Sequence, residues 1–187
     1  MPLQARERVF GAFSLSDEQG RPLNPDDVLL AEELAARAGT AIDNARLFAE
    51  RTHVAQTLQR SLLPLKLPKF ERLALATRYL PGATDVAAGG DWYDVLALEE
   101  HRVAIVVGDV VGQGAEAAAV MGQLRTALAT ALLHGDSAAA ALEHLDRMAA
   151  RIPGALASTA AVMILDLLTG NLCCARAGHP PPLLIEP

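Results

Sequence analysis

Two short runs, 91–98 (DWYDVLAL) and 102–107 (RVAIVV), are apolar and rich in β-branched and aromatic residues, and the polar Glu99-Glu100-His101 separates them. Such a pattern predicts a β-hairpin folded back about Glu100. In that register Asp91 lies opposite Asp109, and directly opposed residues of an antiparallel pair have Cβ atoms roughly 5 Å apart. The chain before and after predicts elements that frame this hairpin. Residues 6–15 (RERVFGAFSL) read as one short strand, with Asp17-Glu18-Gln19-Gly20 as the turn after it. A helix start follows: Asn24 as N-cap, Pro25 in the first helical position, and Asp26 and Asp27 at the positive end of the macrodipole.

From there to Leu63 no proline intervenes and Gly39 is the one weak point. At 1.5 Å per residue that helix is about 58 Å long, a length that suggests a connector rather than a core element. A seam at three- and four-residue spacing runs Leu34, Ala38, Ala41, Ala45, Phe48, Thr52, Ala55, Gln59, Leu62. Its alanines and polar members predict weak or switchable self-association, so residues 25–63 are expected to form a homodimer; the alternative is an amphipathic helix packed on a neighbouring domain. Pro64 and Pro68 stop the helix. Residues 71–80 alternate as a strand, ended by Pro81-Gly82. Beyond the hairpin, Val120, Leu124, Leu128 and Ala131 recur at helical spacing within 115–133. His134-Gly135 ends that helix, and Asp136 or Ser137 caps a second over roughly 137–150. Residues 157–167 and 171–177 read as strands about a Thr169-Gly170-Asn171 turn, and Leu183-Leu184-Ile185 as the start of a last strand. Strands, two helices and strands again make an α+β pattern, with helices laid on an antiparallel sheet.

Composition narrows the function. With 51% hydrophobic and 20% charged residues the chain is globular rather than disordered. Aromatics are only 4%, so alanine, leucine and valine must build the core. A net charge of −6 gives no basic footprint for nucleic acid and disfavours acidic lipid surfaces. No long uncharged apolar run and no apolar signal core are present, which predicts a cytoplasmic protein with no membrane association. Cys173 and Cys174 are adjacent, would point to opposite faces of a strand, and read as small apolar residues in a reducing compartment.

The candidate chemistry sits at the hairpin's end. Two carboxylates that close repel each other and raise one pKa unless a cation lies between them, and a hard ion such as Mg²⁺ or Mn²⁺ takes oxygen ligands. Gly89 and Gly90 permit a tight approach before Asp91. Gly108, Gly112 and Gly114 around Asp109 permit positive φ or close backbone contact, so the Val110 backbone carbonyl could turn to an ion. A glycine-rich hairpin with solvated carboxylates is the plainer reading of the same residues. Asp94, three residues along the strand, faces the other way and reads as structural. Glu116 serves the dipole of the helix that follows, and His179 reads as a turn-stabilising hydrogen-bonder rather than a general acid. His53, His134 and His144 have no second ligand at metal spacing. Nucleotide binding by GDVVGQG is disfavoured: the glycine spacing is wrong and an aspartate in the loop repels phosphate.

GGDWYD followed by GDVVGQG, with LQRSLLP (58–64), STAAVMILDLLTGNL (158–172) and AGHPPPLL (177–184) in the same order, resembles the SpoIIE/RsbU-type phosphatases. These are bacterial members of the metal-dependent, protein phosphatase 2C-like (PPM) Ser/Thr phosphatases. The resemblance implies a partial PPM-type α/β/β/α sandwich over 64–187, preceded by the long connector helix. It also implies a two-ion Mn²⁺ or Mg²⁺ centre that hydrolyses phosphoserine or phosphothreonine, commonly on STAS-domain anti-sigma-factor antagonists. Asp109 would be the bridging carboxylate, the Val110 carbonyl a ligand, and Asp91 a direct or water-mediated one. Residues 1–50 resemble the C-terminal end of a GAF sensor domain, through ARAGTAIDNARLF (36–48), with 1–24 as its remnant. The family's remaining metal-binding acids, in an Asp-Gly-Leu/Val-x-Glu and an Asp-Asp-x-Thr segment, are not matched here. The chain alone is therefore expected to be weakly active or inactive, and aggregation-prone or oligomeric. The alternative is a non-catalytic regulatory or dimerisation fragment acting through 25–63.

Overall fold

A computed structural model describes residues 1–16, 22–64, 66–79, 89–99 and 101–185. The turn expected at 17–20, the Pro81-Gly82 break and the hairpin tip at Glu100 lie outside the described residues. The chain divides into two units, Met1–Arg51 and Thr52–Pro187.

In the first unit, β1 (Pro2–Ala5) pairs antiparallel with β2 (Arg8–Ala12). The sequence predicted one strand over 6–15; instead the chain reverses at Arg6 and Glu7, both at positive φ (48° and 66°). Tight hairpins need this twist and usually take it with Asn-Gly, so a turn made of Arg-Glu carries no sequence signal. Helix α1 (Pro25–Leu62) begins where expected. The Asn24 side-chain oxygen accepts from the Asp27 N–H at 2.8 Å, and the Asp27 carboxylate accepts from the Asn24 N–H at 3.0 Å. This reciprocal box satisfies two amide donors that a helix start leaves open.

Gly39 has a packing reason rather than a breaking role: a Cβ there would lie 2.6 Å from the Gln4 carbonyl oxygen, so the β1 backbone crosses the helix at a position only glycine can fill. Ala31, Ala35 and Asp43 are buried at four-residue spacing along the same side. Asp43 is paired with Arg46 at 3.2 Å and faces Arg6 at 3.7 Å. The buried stripe is therefore offset from the seam read in the sequence, whose Leu34 and Phe48 are each half exposed.

The second unit is built on one antiparallel sheet in the order β3-β4-β5-β6, comprising β3 (Trp92–Ala97), β4 (Arg102–Asp109), β5 (Thr159–Asp166) and β6 (Leu172–Ala177). Between β4 and β5 the chain forms α2 (Ala115–Leu133) and α3 (Ala138–Ala149). Ser137 caps α3 through the Ala140 N–H at 3.2 Å. On α2, Met121, Leu124, Leu128 and Leu132 share one stripe and are buried with Ala138, Ala141, Leu142 and Leu145 of α3. These residues form one core with Trp92, Ala104, Val106, Val162 and Ile164 of the sheet. Each fully buried leucine stabilises the fold by about 1.5–3 kcal/mol relative to exposure. The C-terminal part of α1, from Thr52 on, belongs to this unit, with Leu62 packed where Gly122 leaves α2 bare.

The fold is thus α+β, one helical layer on one antiparallel sheet, preceded by a long helix. Among the described residues, two predicted strands do not form. Within 71–79 the structure has only an isolated bridge, Phe70 to Leu73, and Leu183-Leu184-Ile185 is unpaired and exposed. Apolar alternation marks a capacity to pair, but a strand exists only where a neighbour supplies the ladder.

Candidate functional site

The hairpin forms in the register expected from the sequence. Trp92 pairs with Gly108 as the outermost registered pair, which places Asp91 beside Asp109. Alternation then sends Trp92 and Asp94 into the helical core, while Asp91 and Asp109 stay exposed at the sheet's end. Glycines enforce the close approach. A Cβ on Gly90 would collide with the Val110 carbonyl, and one on Gly108 with the Trp92 ring, which is 2% exposed. The Val110 N–H donates to the Gly90 carbonyl at 3.2 Å, and the Val110 carbonyl in turn faces Gly90. Gly89 bridges to Gln113, while Gly112 and Gly114 hold φ of 112° and 88°, so the loop after Asp109 turns through conformations that side chains resist.

The electrostatics of the acid pair are unfavourable as they stand. The carboxyl of Asp91 is held above the usual carboxylate range. Partial burial is the largest cause, followed by the negative charge of Asp109 and a hydrogen bond from one carboxyl to the other; His179 pulls the opposite way. Two oxygen donors in mutual repulsion suit a proton or a hard cation between them, so the donor chemistry fits part of a Mg²⁺ or Mn²⁺ site. Among the described residues no three His, Cys, Asp or Glu side chains gather at metal-holding distance.

Asp94 lies on the other face, 3% exposed, and is structural. Its Oδ2 sits 2.8 Å from Arg125 Nη2 on α2, and its Oδ1 accepts from the Val95 N–H at 3.0 Å. The ion pair is close but not straight, so Oδ2 lacks a well-aligned hydrogen bond. Burial raises the Asp94 carboxyl, and the Arg125 charge opposes that shift without cancelling it. Arg125 carries no signal in the sequence, because a salt bridge from strand to helix has no local spacing rule. Glu116 is exposed in the first turn of α2. His134 Nδ1 lies 2.8 Å from the Thr130 carbonyl, and His144 Nδ1 pairs with Asp136 at 2.6 Å across the α2–α3 turn.

The β4–β5 register adds a neighbour that sequence reading missed. Thr159 stands opposite Asp109, and its hydroxyl contacts His179 Nδ1 at 2.8 Å. Finding Thr159 required the pairing of β5 with β4, which the two intervening helices hide in the sequence. A cleft of about 430 Å³ opens here, lined by Thr77, Arg78, Tyr79, Asp91, Tyr93 and His179 among others.

Residues 99–187 match the family described as Stage II sporulation protein E (SpoIIE). The crystal structure of the RsbU and RsbW domains of Rv1364c from Mycobacterium tuberculosis is 51% identical over 55% of this chain and 29% of that one, with a TM-score of 0.51. The structure of the PP2C phosphatase domain and a regulatory fragment of SpoIIE from Bacillus subtilis is 15% identical over 82% of this chain and 70% of that one, with a TM-score of 0.40. Protein IcfG from Synechocystis is 34% identical over 71 residues, which are 38% of this chain and 11% of IcfG. The chain therefore spans a small fraction of the relatives it matches in sequence.

Proposed function

We propose that this chain is part of a Mn²⁺- or Mg²⁺-dependent protein serine/threonine phosphatase. Asp91, Asp109 and the Val110 backbone carbonyl are its metal-binding groups, with Gly89, Gly90, Gly108, Gly112 and Gly114 shaping the loops that carry them. The observation that carries this reading is the like-charged pair Asp91–Asp109, drawn together at the sheet's end with the Asp91 carboxyl held above its ordinary range. Structural acids are normally stabilised by donors; a pair kept in repulsion is a feature of functional sites. Bound metal ions would supply an activated water and neutralise the phosphoryl group. The chain's own part is to present two carboxylates on rigid strand ends, which fixes their spacing before any ligand arrives.

The proposed substrate is a phosphorylated STAS-domain anti-sigma-factor antagonist in a bacterial signalling pathway, a cytoplasmic setting. This is supported by the likeness to a chain that joins RsbU and RsbW domains. Among the described residues no helix is long and apolar enough to cross a membrane. Residues 1–24 are proposed as the remnant of a GAF-like domain, 25–63 as the connector helix and possible homodimer contact, and 64–187 as the phosphatase part. The exposed Leu34 and Phe48 on α1 favour a second reading, a regulatory or dimerisation fragment without turnover.

Manganese titration by calorimetry, with wild type beside Asp109→Ala, separates the two. Weak binding lost in the variant supports the metal centre. Absence of binding to folded wild type moves the chain to the second reading. With two carboxylates in place, little phosphoester turnover is expected from the chain alone, and clear turnover abolished by Asp109→Ala would refute that expectation.

A further inference from the structure

His179 is half-buried on a loop, yet its position is fixed from several directions. Gly178, at φ 70°, ends β6 and forms a bridge to Ala160. A Cβ on Gly178 would press on the Thr159 methyl at 3.1 Å, so the loop lies tight against β5. The Arg176 guanidinium donates to the His179 carbonyl at 2.9 Å. The imidazole Nδ1 meets the Thr159 hydroxyl at 2.8 Å. Three prolines follow and limit the backbone further. A surface loop has no need of such definition for packing alone. The constraint has a chemical consequence: with Nδ1 engaged by Thr159, only Nε2 remains for another partner. The ring lines the cleft that also contains Asp91.

We propose that the Thr159 hydroxyl donates to Nδ1, which fixes the tautomer so that His179 presents an Nε2–H donor to a phosphoryl oxygen of the substrate bound at the Asp91–Asp109 pair. His179 then contacts the substrate, and Thr159 is a positioning residue that acts through it. The inference rests on the phosphatase reading above, because it needs a phosphate monoester at the acid pair. The logic is that of an orienting partner on one ring nitrogen setting the function of the other. Arg78, which also lines the cleft, adds the positive charge that such an anion requires.

Side-chain geometry supplies the test. Asparagine places a polar atom near the position of Nδ1 and nothing at Nε2, so His179→Asn keeps the Thr159 contact and removes the proposed donor. Inorganic phosphate is titrated into the ¹⁵N-labelled chain with Mg²⁺ present, followed through the histidine side-chain resonances; Mg²⁺ is titrated separately. The His179 Nε2 signal is expected to move on adding phosphate. His179→Asn is expected to weaken phosphate about 10-fold, the loss of one hydrogen bond to a charged group. Thr159→Val is expected to weaken it about threefold, through a loosened ring rather than a lost donor. Melting temperature and Mg²⁺ affinity stay close to wild type for His179→Asn. If His179→Asn binds phosphate like wild type, or if Mg²⁺-loaded wild type binds no phosphate, the inference is overturned and Thr159–His179 is only a staple. If Mg²⁺ itself fails to bind wild type, the metal-centre reading has failed, and this inference falls with it.

Discussion

Removing the charge of Arg125 should be among the most damaging single changes on the helical side of the sheet. Asp94 is 3% exposed and points into the core between β3 and α2, and Arg125 is the cation 2.8 Å from its Oδ2. Arg125→Met keeps much of the aliphatic stem, so the loss is electrostatic rather than a cavity. Breaking a buried pair from one side leaves an uncompensated charge and typically costs ~3–5 kcal/mol. The Arg125 side chain is 25% exposed and water can reach part of the site, which argues for the lower end, ~3 kcal/mol. For a unit of this size, ~3–5 °C is lost per kcal/mol, so melting by circular dichroism should fall by about 10–15 °C.

The pH dependence tests the cause. The Asp94 carboxyl is already raised by burial, and loss of Arg125 removes the influence that lowers it. The folded variant therefore holds a proton to higher pH than the unfolded chain does. Its stability is present at low pH and is lost as pH rises through the folded value. The gap between variant and wild type should accordingly narrow from pH 7.5 to pH 5. Adding Asp94→Asn to Arg125→Met should recover much of the loss at neutral pH, since no buried charge is left alone. A drop under about 3 °C, or a gap that does not change with pH, would show that the pair contributes little and that the reasoning is wrong.

Two other outcomes follow from the same geometry. Gly108→Ala drives a methyl into the buried Trp92 ring and should cost about 1–3 kcal/mol or more, read by urea unfolding monitored on the single tryptophan; an unchanged midpoint would mean that the ring can move aside. Asp91→Asn should raise the melting temperature at pH 7.5 without metal, because the raised Asp91 carboxyl opposes folding once it is ionised. That gain should shrink as pH falls and the wild-type carboxyl takes its proton, and a gain that persists at low pH would point to another cause.

The hairpin and its acids were legible in the sequence because everything that defines them is local. β-branched runs on either side of a polar break set the strands, and side-chain alternation put Asp91 with Asp109 and sent Asp94 away. The start of α1 was equally local, since Asn24, Pro25 and Asp27 together form the capping box. What was missed is non-local or chemically unmarked. The reversal at Arg6-Glu7 uses residues that seldom take positive φ, so β1 escaped notice. The run 71–79 alternates like a strand but, among the described residues, carries one isolated bridge. Gly39 reads as a helix weakness until the Gln4 carbonyl is seen against it. Arg125 and Thr159 gain their places from partners 31 and 50 residues away in sequence, Asp94 and Asp109, and no spacing rule reaches that far.

The two ends of the sheet treat their acids in opposite ways. At the far end Asp166 also closes a strand, opposite Arg102. Its Oδ1 accepts from the N–H groups of Leu168 and Thr169 at 2.8 and 3.0 Å, and these bonds hold its carboxyl below the ordinary range. That acid is satisfied by its own turn and serves the β5–β6 connection. At the near end, burial and the Asp109 charge push Asp91 the other way. The same side chain in two comparable topological positions is thus stabilised in one and frustrated in the other. Meander pairing places Asp91, Asp109, Thr159 and, just past β6, His179 side by side at that frustrated end. The core beneath them is closely packed, so the strand ends cannot relax apart to relieve the repulsion. A fold that keeps such a pair, and lines the space beside it with a fixed imidazole and an arginine, would suit the cation and the anion proposed above.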